Sequence, residues 1–226
     1  MVVSGSNCNR DDRPDRDALN SALQKIYDGF AGEYEKNRCG FDMTDVLDSF
    51  YGRLDSAQGR VLDMGCGAGE PFARWFIDLG WTVTGVDFSE RMLELASKYV
   101  PEMKTVRADM RQVEFERDSF DAVTAIYSLF HVPAADHVAV FEKIHRWLRP
   151  KGKALFTYAT EEYTGSREFD GYKKFMGQEL YYSHRSPEEL YTALEQLGFK
   201  IESVDYRDIG NEIFLWVTVE KSLKYF

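Results

Sequence analysis

The sequence predicts an α/β domain built on a mostly parallel sheet with helices packed on both faces. Two observations carry this reading. From Arg60 onward short apolar runs alternate with helical segments, the pattern of strands buried on both sides. The chain is 226 residues long, 44% hydrophobic and 29% charged, the balance of a globular protein with one sizeable core.

Residues 1–17, with Asn9 to Asp17 alternating charges and no apolar face, read as a mobile tail outside a single domain over 18–226. Leu19, Leu23, Ile26, Tyr27, Phe30 and Tyr34 recur three or four apart and predict a first helix. Val46, Leu47, Phe50, Tyr51 and Leu54 predict a second, so that 18–56 form a helical cap ahead of the sheet. Strands are expected at 60–64, 82–86, 103–107, 120–125 and 152–158. Between them, Phe72 to Leu79 give a helix after Pro71, and Leu93 with Ala96 give another capped by Ser89. Val138, Phe141, Ile144, Trp147 and Leu148 give a third. Ser186-Pro187-Glu188-Glu189 has the form of a capping box, starting a helix through Leu190, Leu194 and Leu197 that Gly198 closes. Two last strands, 199–206 and 212–220, meet at Gly210-Asn211 as a hairpin.

Composition also narrows the function. No apolar run is long enough to span a bilayer, and Met1 to Asn9 lack the basic flank and apolar stretch of a secretory signal, so a cytoplasmic protein is expected. Cys8, Cys39 and Cys66 are widely spaced without a CxxC pair, and no metal-ligand spacing links the four histidines, so reduced thiols and no metal are expected. A formal charge of −10 opposes a phosphate backbone as partner.

The chemistry concentrates where strands end. Val61 to Gly69 place Gly65, Gly67 and Gly69 at alternate positions as an apolar strand turns toward a helix, where a cofactor can approach the backbone closely. The next strand ends in Asp87, 18 residues past Gly69, placed to accept both hydroxyls of a ribose; its alternative is a cap for the helix at Ser89. Asp109 ends the third strand and can accept from an adenine amino group. The strand 120–125 lies beside the glycine loop, so Tyr127 to Pro133 should line the reaction site. A nicotinamide-binding turn would need glycine at position 70, where Glu70 stands.

In order and spacing, from about Tyr27 to the C-terminus, this series resembles the class I S-adenosylmethionine-dependent methyltransferases. Tyr27-Asp28 with Ala31 and Tyr34 resembles the family's opening helix, and Leu148 to Gly152 its Pro-Gly-Gly turn, with Lys151 in place of a glycine. The resemblance implies a Rossmann-like seven-stranded sheet of order 3-2-1-4-5-7-6, the seventh strand antiparallel. It implies S-adenosyl-L-methionine as cofactor, with Asp63, Gly65, Cys66, Gly67 and Gly69 around its methionine portion. Asp87 with Phe88 would hold the ribose, Asp109 with Met110 the adenine, and Tyr27, Tyr34 and Ile126 would complete the donor site.

Methyl transfer is an in-line displacement at carbon, so the protein chiefly aligns donor and acceptor and excludes water. A hydroxyl acceptor would also need a base, for which His131 is the best-placed residue; the alternative is a histidine that fixes its loop by bonding backbone. Residues 161–185, rich in Tyr and Phe, predict a lid over a small-molecule acceptor. Tyr127, Phe130, His131 and Tyr158 are the acceptor-side candidates from the sheet, and Tyr181, Tyr182 and His184 those from the lid. Its aromatics suit a flat ring or a cation, whereas Arg167, Lys173, Lys174 and Arg185 suit a carboxylate. Other chemistry at the sulfonium, such as cyclisation or cleavage, and a non-catalytic binding protein are the competing readings.

Overall fold

The computed structural model describes residues 16–36 and 42–222. The expected tail over 1–17 falls almost wholly outside them, and so do Cys8 and Cys39. In chain order the elements are helix α1 (Arg16–Lys36), helix α2 (Thr44–Tyr51), strand β1 (Arg60–Met64), helix α3 (Phe72–Asp78), strand β2 (Thr82–Asp87), helix α4 (Glu90–Tyr99) and strands β3 (Lys104–Arg107) and β4 (Phe120–Ala125). Helix α5 (His137–Trp147), strand β5 (Leu148–Tyr158), the short helix α6 (Glu161–Thr164), strands β6 (Phe169–Phe175) and β7 (Gln178–His184), helix α7 (Pro187–Gln196) and strands β8 (Phe199–Ile209) and β9 (Glu212–Lys221) follow.

The seven-stranded sheet runs β3-β2-β1-β4-β5-β9-β8, with β6 and β7 forming a separate hairpin. This is the expected order, because β8 and β9 are the sheet's sixth and seventh strands once the inserted hairpin is set aside. β9 alone runs against its neighbours, pairing antiparallel with both β5 and β8. β5 begins four residues earlier than the apolar pattern suggests, since Leu148 pairs with Phe120 before a register shift. Within that irregular stretch Lys151 sits at φ +65°, the left-handed conformation that glycine adopts without cost.

Alternate residues of each strand face opposite cores. Leu62, Met64, Val123, Phe156 and Val217 pack beneath α5 and α7, through Phe141, Ile144, Trp147, Leu190 and Leu194. Val61, Ala122, Leu155 and Trp216 face the other way, under α2, α3 and α4, through Val46, Phe50, Phe76 and Ala96. The first two helices therefore part company. α2 belongs to a sheet face, and only α1 contributes to a third apolar cluster, where Leu19 and Leu23 meet Phe130, Leu180, Tyr181, Tyr182 and Phe214. That cluster stands over the carboxyl ends of the strands, and it is where the 161–185 segment, as α6 plus the β6–β7 hairpin, folds down.

Ser89 and Ser186 cap their helices as expected, their side chains accepting from the amides of Met92 and Glu189. Gly198 ends α7 at φ +91°.

Candidate functional site

The donor half of the site grows from backbone geometry. Beyond β1 the amides of Gly65 and Cys66 both donate to the Val86 carbonyl, at 2.7 and 3.1 Å, which turns the chain across the end of β2. The three glycines then differ. A Cβ on Gly65 would stand 2.3 Å from Cβ of Ser128, and one on Gly69 would stand 3.0 Å from Met103 and Val100, so both are small for the protein's own packing. Gly67, at φ +51°, has no atom within 4 Å of that position and is the one that faces open space. Of the three, Gly67 alone is open on its Cβ side.

Asp87 closes the loop from the other side. Its two carboxylate oxygens accept from the Gly67 amide at 2.9 Å and the Ser89 amide at 2.8 Å. It thus serves its helix and ties the glycine loop to β2 at once. Each oxygen keeps a second lone pair for a ligand. Burial raises the pKa of Asp87, against the lowering influence of these amides. Asp63 accepts from the Thr124 hydroxyl at 2.7 Å, and burial, partly offset by that bond, pushes its pKa up to about 6. Cys66 is buried among Gly85 and Met103, its thiol raised in pKa chiefly by burial. Ile126 and Met110 are also buried, in the two sheet cores.

Asp109 is engaged by the protein itself. Its carboxylate is gripped by the Arg111 guanidinium, with contacts of 2.8 and 2.9 Å to one oxygen, and also accepts from the Asn20 amide on α1. Burial raises its pKa, but the Arg111 and Asn20 bonds outweigh it and leave the group below the ordinary carboxylate range. The resemblance implied an acceptor for adenine; in this structure the acid also anchors α1. A second anchor is Asp28, whose carboxylate accepts from the Ser89 hydroxyl at 2.6 Å. Asn20 and Arg111 escaped the sequence reading, which named Asp28 only within the opening-helix motif. Asn20 precedes Tyr27 by seven residues and Asp28 by eight, a helical stripe that could have marked it.

His131 joins α1 to the hairpin. It is 8% exposed, with Nδ1 2.6 Å from the Tyr181 carbonyl and Nε2 2.7 Å from the Tyr27 hydroxyl. A carbonyl only accepts, so Nδ1 carries the proton, and Nε2 accepts from Tyr27. Burial lowers its pKa to about 4, against the raising influence of the Tyr181 carbonyl, so the ring is neutral at pH 7. The ring thus bonds backbone, of β7 rather than of its own loop. Phe88 packs edge-on to Tyr27 at 6.0 Å. Tyr34 lies on α1 but outside the residues whose side chains are described.

The acceptor-side aromatics are only partly assembled together. Phe130 is stacked between Phe214, at 4.8 Å, and Tyr182, at 5.2 Å. Tyr127 has φ +51°, and its amide donates to the Thr157 hydroxyl while its ring meets the edges of Phe214 and Trp216. Tyr181 is turned to Asp170 within the hairpin, its hydroxyl donating at 2.7 Å. Tyr158 belongs instead to the core under α5, accepting from the Arg185 amide, and His184 bonds Thr164 and stacks on Phe169 at the root of the hairpin. These two candidates stand apart from the Tyr27–His131 pair. Glu212 and Phe214, from the start of β9, take part without having been foreseen. Among the described residues there is no group of three or more His, Cys, Asp or Glu that could hold a metal, and no helix long and apolar enough to cross a membrane.

Comparison with known proteins agrees with this architecture. Residues 61–152 match the family model described as "Methyltransferase domain". A sterol 24-C-methyltransferase of Candida albicans is 28% identical over 180 residues, covering 74% of this chain and 46% of that protein. A ubiquinone biosynthesis O-methyltransferase of Xanthomonas oryzae is 39% identical over 120 residues, covering 49% of this chain and 47% of the other. The chain thus spans about half the length of the curated relatives it matches. In fold, it superimposes on a Burkholderia thailandensis 1,6-didemethyltoxoflavin-N1-methyltransferase with TM-score 0.63, at 20% identity over 91% of each chain. The matched region covers the glycine loop, Asp87 and Asp109, and the sheet order is the one the family resemblance implied. Residues 61–152 are thus similar to a methyltransferase domain, and the seven-stranded sheet has the fold of the solved S-adenosylmethionine-dependent methyltransferases.

Proposed function

We propose that this protein transfers the methyl group of S-adenosyl-L-methionine to a small-molecule acceptor by in-line displacement at carbon. The observation that carries the reading is the contrast at the glycine loop: Gly67 opens onto free space beside Asp87, while Gly65 and Gly69 are filled in by the protein. Bound there, the cofactor supplies an electrophilic methyl on a positively charged sulfur. The chain's own residues bind, orient and exclude water. The remaining lone pairs of Asp87 suit vicinal hydroxyls. α1, tied down through Asp28 and Asn20, covers the site from above. The neutral His131 holds Tyr27 and the hairpin at fixed positions over it. In this reading His131 is a positioning residue, because its one free lone pair is already taken by the Tyr27 hydroxyl. The charge of −10 favours a small molecule over a nucleic acid as acceptor.

Calorimetry with S-adenosylhomocysteine tests the donor site. Asp87→Ala should weaken binding by about 1.5–3 kcal/mol, the value of hydrogen bonds to a charged group. Unchanged affinity in the folded variant would remove Asp87 from the cofactor site. Incubating the protein with methyl-labelled donor and a cell extract then separates the chemistries: a labelled small molecule supports methyl transfer, and methylthioadenosine supports cleavage or cyclisation.

A further inference from the structure

The cap contains one carboxylate that the methyl-transfer reading leaves without a task. Glu212 follows the turn between β8 and β9 and is half-buried among tyrosines. Its Oε1 accepts from the Tyr163 hydroxyl at 3.1 Å, and Tyr163 lies 3.2 Å from the Tyr182 hydroxyl. The Tyr163 ring leans on Phe214, 4.3 Å between centroids. The Lys173 ammonium sits 4.4 Å from the centre of the Tyr163 ring and donates to the Tyr163 carbonyl. The cation that the protein itself provides thus lies on the face of a phenol whose hydroxyl binds Glu212, with the carboxylate's charge acting on it from beyond ion-pair contact.

The sign of the surrounding charge decides what else fits. Of the other basic residues that could have held an acidic substrate, Arg185 pairs with Glu168 and Arg167 with Glu188 on the exterior, and Lys174 is at an exposed position of β6. Glu212 meanwhile adds to the burial that keeps Tyr127 and Tyr182 protonated. An anion would meet this field with no guanidinium to receive it. A cation would meet a desolvated carboxylate and an aromatic face, the combination that recognises ammonium groups. Lys173 stands at a half-buried position of β6, between the exposed Tyr172 and Lys174, and its four-carbon stem is long enough to carry the ammonium out to water when another cation takes its contacts.

Resting on the methyl-transfer reading, we propose that Glu212 and the Tyr163 ring anchor a cationic nitrogen of the acceptor, and that Lys173 holds this place until the acceptor arrives. An ammonium has no lone pair, so this nitrogen is the handle and a different atom of the same molecule receives the methyl group. Tyr182 and Phe130 stand between Glu212 and the Tyr27–His131 pair, which separates handle from reaction site. The acceptor class is therefore a small molecule with a fixed or protonated positive nitrogen at one end and a nucleophilic atom at the other.

The test uses the full chain and two probes, choline and its uncharged carbon isostere, titrated with and without saturating S-adenosylhomocysteine. Choline should bind at least about tenfold more tightly than the isostere. Lys173→Met, which removes the resident cation, should tighten choline by roughly tenfold, and Glu212→Gln should abolish the preference for charge. Equal binding of the two probes, no binding of either, or choline affinity unmoved in Lys173→Met would overturn the anchor. Failure of S-adenosylhomocysteine to bind would instead count against the donor reading, while the probe titrations without it still decide the fate of Glu212 and Tyr163.

Discussion

The two halves of the proposed site, for donor and acceptor, are made of different materials. On the donor side the working atoms are backbone amides and carboxylates at strand ends, held by the parallel register of β1, β2 and β4. On the acceptor side they are ring faces and hydroxyls contributed by α1, the loop after β4, the β6–β7 hairpin and the start of β9, elements distant in sequence. Backbone built on a sheet leaves little freedom in what it binds. A cap of side chains can be refilled without disturbing that sheet, which is the usual division between scaffold and connection.

The largest effect expected from this contrast lies within the glycine loop. Gly65→Ala places a Cβ at 2.3 Å from Ser128 in a left-handed conformation, and should destabilise the protein by roughly 2–5 kcal/mol in urea unfolding. Gly67→Ala meets no neighbour, so its loss should be only about 1–2 kcal/mol, yet it should weaken S-adenosylhomocysteine at least about tenfold by filling the ligand's space. Equal destabilisation of the two variants with intact binding in Gly67→Ala would erase the distinction between packing glycine and ligand glycine.

Next in size is the protonation of the cap. Burial holds His131 near pKa 4, and the same holds for His137 in the core, against an ordinary value of 6.5. Between those values the unfolded chain binds a proton that the folded protein refuses. Each ring therefore subtracts stability as pH falls from 6.5 to about 4, on the order of 3 kcal/mol, with no further loss below. Buried Asp63, raised to about 6, acts in the opposite sense, losing stability as pH rises from its ordinary 3.8. NMR titration of the two rings is the direct measurement. Matching midpoints near 4 mean that the cap is as dry as the core; a midpoint near 6.5 for His131 alone means that it opens to water.

The smallest effect concerns a single hydroxyl. Tyr27→Phe leaves Nε2 of His131 buried without its donor and should cost about 1–3 kcal/mol of stability. It should also loosen α1, seen as faster amide exchange over its length, while the sheet is unchanged. If α1 exchanges as in the wild type, the anchors at Asp28 and Asn20 suffice to hold it.

The same contrast governs what could be read from the sequence. Strand alternation, the helix caps at Ser89 and Ser186, the glycine spacing and the acids at strand ends are local patterns, and they led to the strands and the glycine loop, while the sheet order came only with the family resemblance those motifs carry. Arg111 taking Asp109, Asn20 reaching it from 89 residues away, and Glu212 entering a ring of tyrosines are long-range pairings that no spacing encodes. Tyr158 and Tyr182 illustrate the limit, being similar aromatics near similar positions that fold into different clusters. The 161–185 segment was legible as an insertion by its length, whereas its β-hairpin form depends on pairing Tyr172 with Tyr181 across the turn at Gly177.

The turn that introduces Glu212 has a consequence for how such a protein can diverge. Ile209 pairs directly with Glu212 across Gly210 and Asn211, both at positive φ, the two-residue arrangement that matches strand twist. Side chains along a strand alternate with a period of two. Gaining or losing one residue just after Glu212 would send its carboxylate to the opposite face of β9, whereas a change of two would shift it along the same face. Descendants of this sequence could thus change what the cap admits through length variation at one surface turn, with the parity of the insertion deciding whether the charge is kept or lost.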